Sequence, residues 1–213
     1  MNAYLHALPA LLGRGLLATV TISVASMLIA LVGGFGIGLL RALRNPLVDA
    51  AAIAYVEILR GIPLLVLMFF VCFGLPQLGI GIDAAPAAIV ALGLWGAANG
   101  AEIVRGALVS IPRGQSEAGV ALGLGRIAVL RSIVLPQALR RTVAPFMSLF
   151  TAIVESSSLA ALIGVKEILE TVRVDIENDA TLWTPLLLTA LALYFAINFP
   201  VSLASQRLER KLG

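Results

Sequence analysis

Of the 213 residues, 60% are hydrophobic and 13% are charged, with a mean hydropathy of +1.00. A soluble domain carries about 25% charged residues, so this composition excludes a water-soluble fold and points to one compact unit embedded in a bilayer. The net charge of +3 comes from basic residues clustered in particular loops, which removes the case for a nucleic-acid partner. The single Cys72 excludes an internal disulfide, and the lone His6 and Cys72 do not make a metal site. Lys166 and Lys211 are the only lysines and neither follows a glycine. A phosphate-binding Gly-Lys-Ser/Thr loop is therefore absent, and any ATP chemistry belongs to a partner.

Residues 1–15 are mildly apolar, with Arg14 their only charge. Leu16 to Leu40 then runs 25 residues without a charge, enough to cross the ~30 Å hydrocarbon core with some tilt. It is too long for a cleaved secretory signal, so a retained first span is placed at about 16–40. Gly34 and Gly38 form a GxxxG pair, read either as a close helix–helix seam or as the glycine enrichment general to membrane helices. Arg41, Arg44, Asn45 and Pro46 make the first polar break. The second span is set at about 52–80, with a break at Pro63, whose ring disfavours helical geometry at Ile62. Glu57 and Arg60 stand three apart and are expected to pair on one face. Pro76 to Ala85 is a turn-rich connection, and Pro86 opens a third span at about 86–107. Gly96 and Gly100 repeat the GxxxG spacing there. Asn99, Glu102 and Arg105 recur at helical spacing. An ionisable residue inside a span is a functional candidate, and pairing of Glu102 with Arg105 at the membrane boundary is the alternative.

Ser110 to Arg141 is the longest polar interruption, with Arg113, Arg126, Arg131, Arg140 and Arg141 against one acid, Glu117. Ser116 is expected to cap a short helix that begins at Glu117, a carboxylate suited to the positive helix end. Ala118, Gly119 and Ala121 are small enough for another protein's surface to come close. Gly123 and Gly125 supply a stop and a turn, and Pro136 opens the next helix. The fourth span is placed at about 142–162 and contains Glu155, Ser156, Ser157 and Ser158. A charge near mid-span is costly unless hydrated or paired, so Glu155 either lines a polar path or is a buried structural carboxylate. Residues 163–182 are acidic, and Ile168, Leu169 and Val172 predict a short amphipathic surface helix. The fifth span is set at about 184–205, followed by a basic tail, Arg207, Arg210 and Lys211.

The spacing Glu117-Ala118-Gly119, three residues, Gly123, nine residues, Ile133, one residue, Leu135-Pro136 resembles the EAA loop of ABC importer membrane subunits. It matches at every fixed position but the third, where Gly119 stands for the usual Ala. Arg60-Gly61-Ile62-Pro63-Leu64-Leu65 and Ala101-Glu102-Ile103-Val104-Arg105-Gly106 resemble segments of the polar amino-acid branch, the permeases like those for histidine, glutamine and arginine. The resemblance covers nearly the whole chain. It implies an all-α membrane protein of five transmembrane helices with a short cytoplasmic coupling helix in the loop 110–141. It implies that Glu117, Ala118, Gly119, Gly123, Ile133, Leu135 and Pro136 couple to an ATPase. The implied partners are a second permease subunit, identical or not, two cytoplasmic ABC ATPase subunits that hold ATP and Mg, an external solute-binding protein and an amino-acid substrate. The chain itself is then expected to bind no cofactor and to carry no catalytic residue. Glu155, Ser156, Ser157, Ser158, Arg60 and Glu102 are the candidates for the substrate path. The family often reads Lys-Asp-Thr-Ser-Leu in the fourth span; Glu155 stands where lysine is common and Ser156 where an acid is, so the family's substrate charge does not carry over.

Basic residues set the orientation. The segments 41–46 and 105–141 and the tail hold 11 of the 15, and the positive-inside rule places them in the cytoplasm; the resemblance implies that the membrane is a bacterial inner membrane. The N-terminus is then outside and the coupling loop inside. A permease for methionine or a quaternary-amine osmolyte shares the loop and the small size, though a quaternary amine favours an aromatic cage and aromatics are only 6%. An ion-coupled transporter calls for inverted repeats with broken helices, which the sequence lacks, and an inert anchor leaves Glu155 and its serines unexplained.

Overall fold

The computed structural model describes residues 2–42 and 45–212. Arg44, one of the four residues of the expected first polar break, lies outside them, as does the side chain of Lys211. Among the described residues the chain is helical throughout, with no strand. Four helices are long and apolar enough to cross a membrane, and a bent pair makes a fifth.

Helix α1 (Ala3–Ala42) contains the expected window 16–40 but begins well before it. Its 40 residues span ~60 Å at 1.5 Å per residue, about twice the hydrocarbon thickness. The early turns persist because they have partners: Ala7 and Leu11 are buried in a cluster with Ile168, Val172, Leu182, Leu186 and Ala190. Hydropathy marks the length in hydrocarbon, whereas helix ends follow packing.

Asn45 caps α2 (Pro46–Gly61), accepting hydrogen bonds from the backbone N–H of Leu47 at 3.0 Å and Val48 at 3.4 Å. Ile62 is extended, as the residue before a proline should be, and α3 (Leu64–Gln77) leaves at 101° to α2. The expected break at Pro63 is therefore sharp enough to divide the second span into two arms. Glu57 and Arg60 do not pair: both are exposed, and no ion pair joins them among the described residues.

Helix α4 (Ala84–Val109) packs along α1 through the glycines. A Cβ on Gly34 would lie 2.8 Å from the Cα of Gly100, and one on Gly96 would lie 2.7 Å from the Cβ of Ala30. Both GxxxG pairs thus belong to one seam, where backbones meet directly.

The polar interruption is shorter than its sequence suggests. Helix α5 (Arg113–Ala121) starts four residues before Glu117, with Pro112 rather than Ser116 at its N-cap. After a turn, α6 (Arg126–Ile163) runs unbroken through residues 126–141, which the sequence placed in the loop. Pro136 therefore does not open a helix. It sits within one, behind a π-helical stretch at Leu130–Val134 that absorbs the missing N–H and the ring's bulk. The expected amphipathic helix is α7 (Ile168–Asn178), with Ile168 and Val172 buried and Leu169 exposed. The last helix, α8 (Ala180–Arg210), contains the fifth window.

Candidate functional site

Helix α5 projects between α4 and α6, and its geometry is set by two glycines. Gly123 has φ +81°, the left-handed conformation that ends a helix cheaply only in glycine. Its N–H donates to the Val120 carbonyl at 2.9 Å, and the N–H of Leu124 donates to that of Gly119 at 3.1 Å. Gly119 is buried, and a Cβ there would come within 2.7 Å of Ile133 Cδ1 and 2.9 Å of Val129 Cγ2. Its smallness therefore serves the packing of α5 on α6, not the approach of another protein. Ile133 is the other side of that contact. Glu117 and Ala118 are exposed on α5, Leu135 is half-buried and Pro136 exposed on α6.

Sequence reasoning passed over the apolar tip of this hairpin. Val120 is 58% exposed, Leu122 81% and Ile127 78%. Their signal was legible, since apolar residues in a polar loop have no core of their own to join.

The end of α4 that leads towards α5 is braced by charges. Arg41 donates to Asp49 at 2.9 Å and to Glu102 at 2.7 Å, and Arg105 donates to Glu102 at 2.7 Å. These bonds join the end of α1, the start of α2 and the end of α4. Arg141 on α6 donates to the carbonyl and hydroxyl of Ser110 at 2.8 and 2.9 Å. Glu102 is thus paired with Arg105, as the spacing suggested, and held by Arg41 as well.

The four-residue polar segment of α6 divides. Glu155 is exposed and has no ion-pair partner among the described residues. Ser156 is half-buried. Ser157 is fully buried within the chain and donates to the Val154 carbonyl at 2.7 Å. Ser158 donates to the Glu155 carbonyl at 2.7 Å. Arg60 is exposed on α2, a different element. Along α6, Ser148, Thr151 and Glu155 are spaced to share one face. Ser148 and Thr151 line a polar cleft of about 320 Å³ with Ser202, Ser205, Gln206 and Glu209 of α8. No group of three or more His, Cys, Asp or Glu side chains suited to a metal ion is present among the described residues.

Residues 31–213 match the family described as the binding-protein-dependent transport system inner membrane component. The chain belongs to this family. It is a transport-system component of the inner membrane, and such components work in general with ATPase and binding-protein partners. It is 36% identical over 211 residues to the probable glutamine ABC transporter permease protein GlnP of Bacillus subtilis (strain 168), covering 98% of this chain and 97% of that one. Among solved structures, the crystal structure of an amino acid ABC transporter with histidines superposes with a TM-score of 0.90 at 25% identity, covering 97% of this chain and 96% of the other. An inward-facing form of the MetNI methionine ABC transporter superposes with a TM-score of 0.76 at 26% identity, covering 95% and 96%. In this family member, then, the polar interruption 110–141 is helix α5 and the first part of α6, and the acidic segment after α6 contains helix α7.

Proposed function

We infer that this chain is the permease subunit of an ATP-driven importer of polar amino acids. The observation that carries this reading is α5, a nine-residue helix held on α6 through Gly119 and Ile133, whose apolar tip has nothing of its own chain to cover it. A partner ATPase, which binds ATP and Mg, supplies the missing surface. The brace of Arg41, Asp49, Glu102 and Arg105 passes a displacement of α5 into α1, α2 and α4. The chain forms no bond chemistry and binds no cofactor. It works as a pair, of two identical or two different subunits, with two ATPases and an external binding protein. Orientation follows the basic residues, with α5 in the cytoplasm and α7 outside. The likeness to the methionine transporter supports the alternative substrate less, because its superposition is looser than that of the amino-acid transporter.

Glu155, Ser148 and Thr151 line the substrate path in this reading. Polar side chains on the outer face of two adjacent spans are costly against lipid, so that face turns to water and to the second subunit. Glu155 meets the substrate ammonium or a cationic side chain, and Ser156 and Ser158 flank it. Uptake competition against an amino-acid panel, in vesicles holding the full complex with its binding protein, tests the assignment. Glu155→Gln keeps the shape and removes the charge, and it should shift selectivity between cationic and neutral or acidic amino acids while the ATPase stays bound. An unchanged competition profile removes Glu155 from the path. A complex that imports no amino acid at all overturns the substrate class.

A further inference from the structure

The end of the bundle opposite α5 holds a second polar construction that the transport reading leaves unused. Glu167, just before α7, is fully buried. Its Oε2 accepts from the Tyr194 hydroxyl of α8 at 2.6 Å and from the Thr19 hydroxyl of α1 at 3.3 Å. Its Oε1 accepts from the Glu170 N–H at 2.8 Å, capping α7. Thr19 in turn accepts from the Ile168 N–H at 3.2 Å. All three groups around the carboxylate are donors, an arrangement suited to an anion. No cation is in ion-pair reach of it among the described residues: Arg14 and Lys166 are exposed, and Arg173 is engaged by Glu170 and Glu177.

The surrounding cluster of Ala7, Leu11, Ile168, Val172, Leu182 and Leu186 supplies adhesion. Apolar adhesion is non-directional, so it leaves helices free to slide. The carboxylate is directional. A shift of α8 along its axis would withdraw the Tyr194 hydroxyl and strand a buried charge. The backbone is close as well: a Cβ on Gly15 would stand 3.3 Å from the Cα of Ile168 and 3.4 Å from the Glu167 carbonyl. The chain from Glu155 reaches this site through one short 3-10 helix, Ser158–Ile163, and a left-handed Gly164 at φ +84°.

We propose that Glu167 is a positioning residue of the transport cycle, a buried anionic clip that holds α1, the start of α7 and α8 as one block, so that movement entering at α5 reaches Glu155–Ser158 instead of being lost as sliding of α8. The proposal rests on the transport reading above.

The test compares amino-acid import with ATP hydrolysis in the same vesicles, using the complete complex and its binding protein. Tyr194→Phe removes one donor and leaves the packing, and Glu167→Gln removes the charge. Each should lower the ratio of import to ATP hydrolysed by about threefold or more, since losing one hydrogen bond to a charged group shifts a two-state equilibrium by roughly tenfold. ATPase rate and co-purification of the ATPase should persist. The double variant should be no worse than the more affected single one, because both changes open the same clip. An unchanged ratio in both single variants overturns the proposal, as does an additive double variant or a parallel fall of import, hydrolysis and melting temperature. If Glu167→Gln does not insert, Tyr194→Phe and Thr19→Val decide by the same ratio. Wild-type vesicles that retain no ATPase and import no amino acid overturn the transport reading and this proposal together.

Discussion

Gly34→Ala offers a quantitative check on the seam between α1 and α4. The added methyl would stand 2.8 Å from the Cα of Gly100, 2.9 Å from its carbonyl carbon and 3.2 Å from the Ala101 nitrogen. Carbon pairs rest at about 3.5–4.0 Å, so the helices must part by roughly 0.7 Å or more along this stretch. All three contacts are backbone, and no side-chain rotation relieves them. Gly36 is the internal control: it is exposed on the same helix, and a Cβ there meets nothing within 4 Å. Both substitutions share the helix-propensity gain of alanine, about 1 kcal/mol, so their difference isolates the seam. Overpacking costs about 1–3 kcal/mol, and that difference should appear between the two variants in denaturant-titrated unfolding of the purified protein in mixed micelles. Gly34→Ala unfolding together with Gly36→Ala would refute the close backbone approach, and with it the claim that the GxxxG pairs form a seam.

Gly123→Trp places a bulky residue at φ +81°, which costs about 1–2 kcal/mol for a residue with a Cβ and reshapes the apolar tip. Insertion should be normal while the ATPase no longer co-purifies, and wild-type uptake would contradict the docking assignment. Orientation can be read by labelling. With Cys72 replaced by Ser, a cysteine near Asp175 should react with an impermeant thiol reagent in intact spheroplasts and one near Gln115 should not; the reverse pattern inverts the topology. The Glu167 carboxyl is pushed above the usual carboxylate range by burial, against the pull of its donors. The folded protein then takes up this proton more readily than the unfolded chain, so the associated stability is present below the ordinary value near ~4.3 and is lost as pH rises through the folded value. The difference in melting temperature between wild type and Glu167→Gln should therefore move against the wild type as pH rises over that window. Asp179, held below its usual range by the Thr181 hydroxyl, has the opposite slope, but both proteins carry it and it cancels. A difference curve flat in pH would show that Glu167 does not titrate there.

How much was legible in the sequence depended on the range of the interaction that decided each feature. The membrane class, the five apolar windows, the break at Pro63, the stop at Gly123 and the pairing of Glu102 with Arg105 rest on composition or on neighbours within four residues. Those are local physics, and the spacing of residue types carries them. The helix ends were not local. Residues 3–15 and 126–141 are helical because tertiary partners cover them, Leu11 against Leu186 and Val129 and Ile133 against Gly119. The Glu57–Arg60 pairing followed a spacing rule that permits contact without requiring it, and solvent-exposed charges gain little from meeting. Gly119 read as open to a partner because a sequence shows how small a residue is and not which way it faces. Ser157 looked like its neighbours, yet two residues of helix, about half a turn, bury it while Glu155 faces out.

By itself, the sequence determined that the chain lives in a bilayer and carries a basic loop outside it, because 60% apolar residues and arginines confined to a few loops leave no other medium for it. Only the tertiary structure decided that Arg41 bridges Asp49 and Glu102, and that Thr19, Glu167 and Tyr194 share one buried carboxylate. Partners 148 and 27 residues apart in the chain leave no periodic trace, since what brings them together is the packing of helices and not the pattern along any one of them.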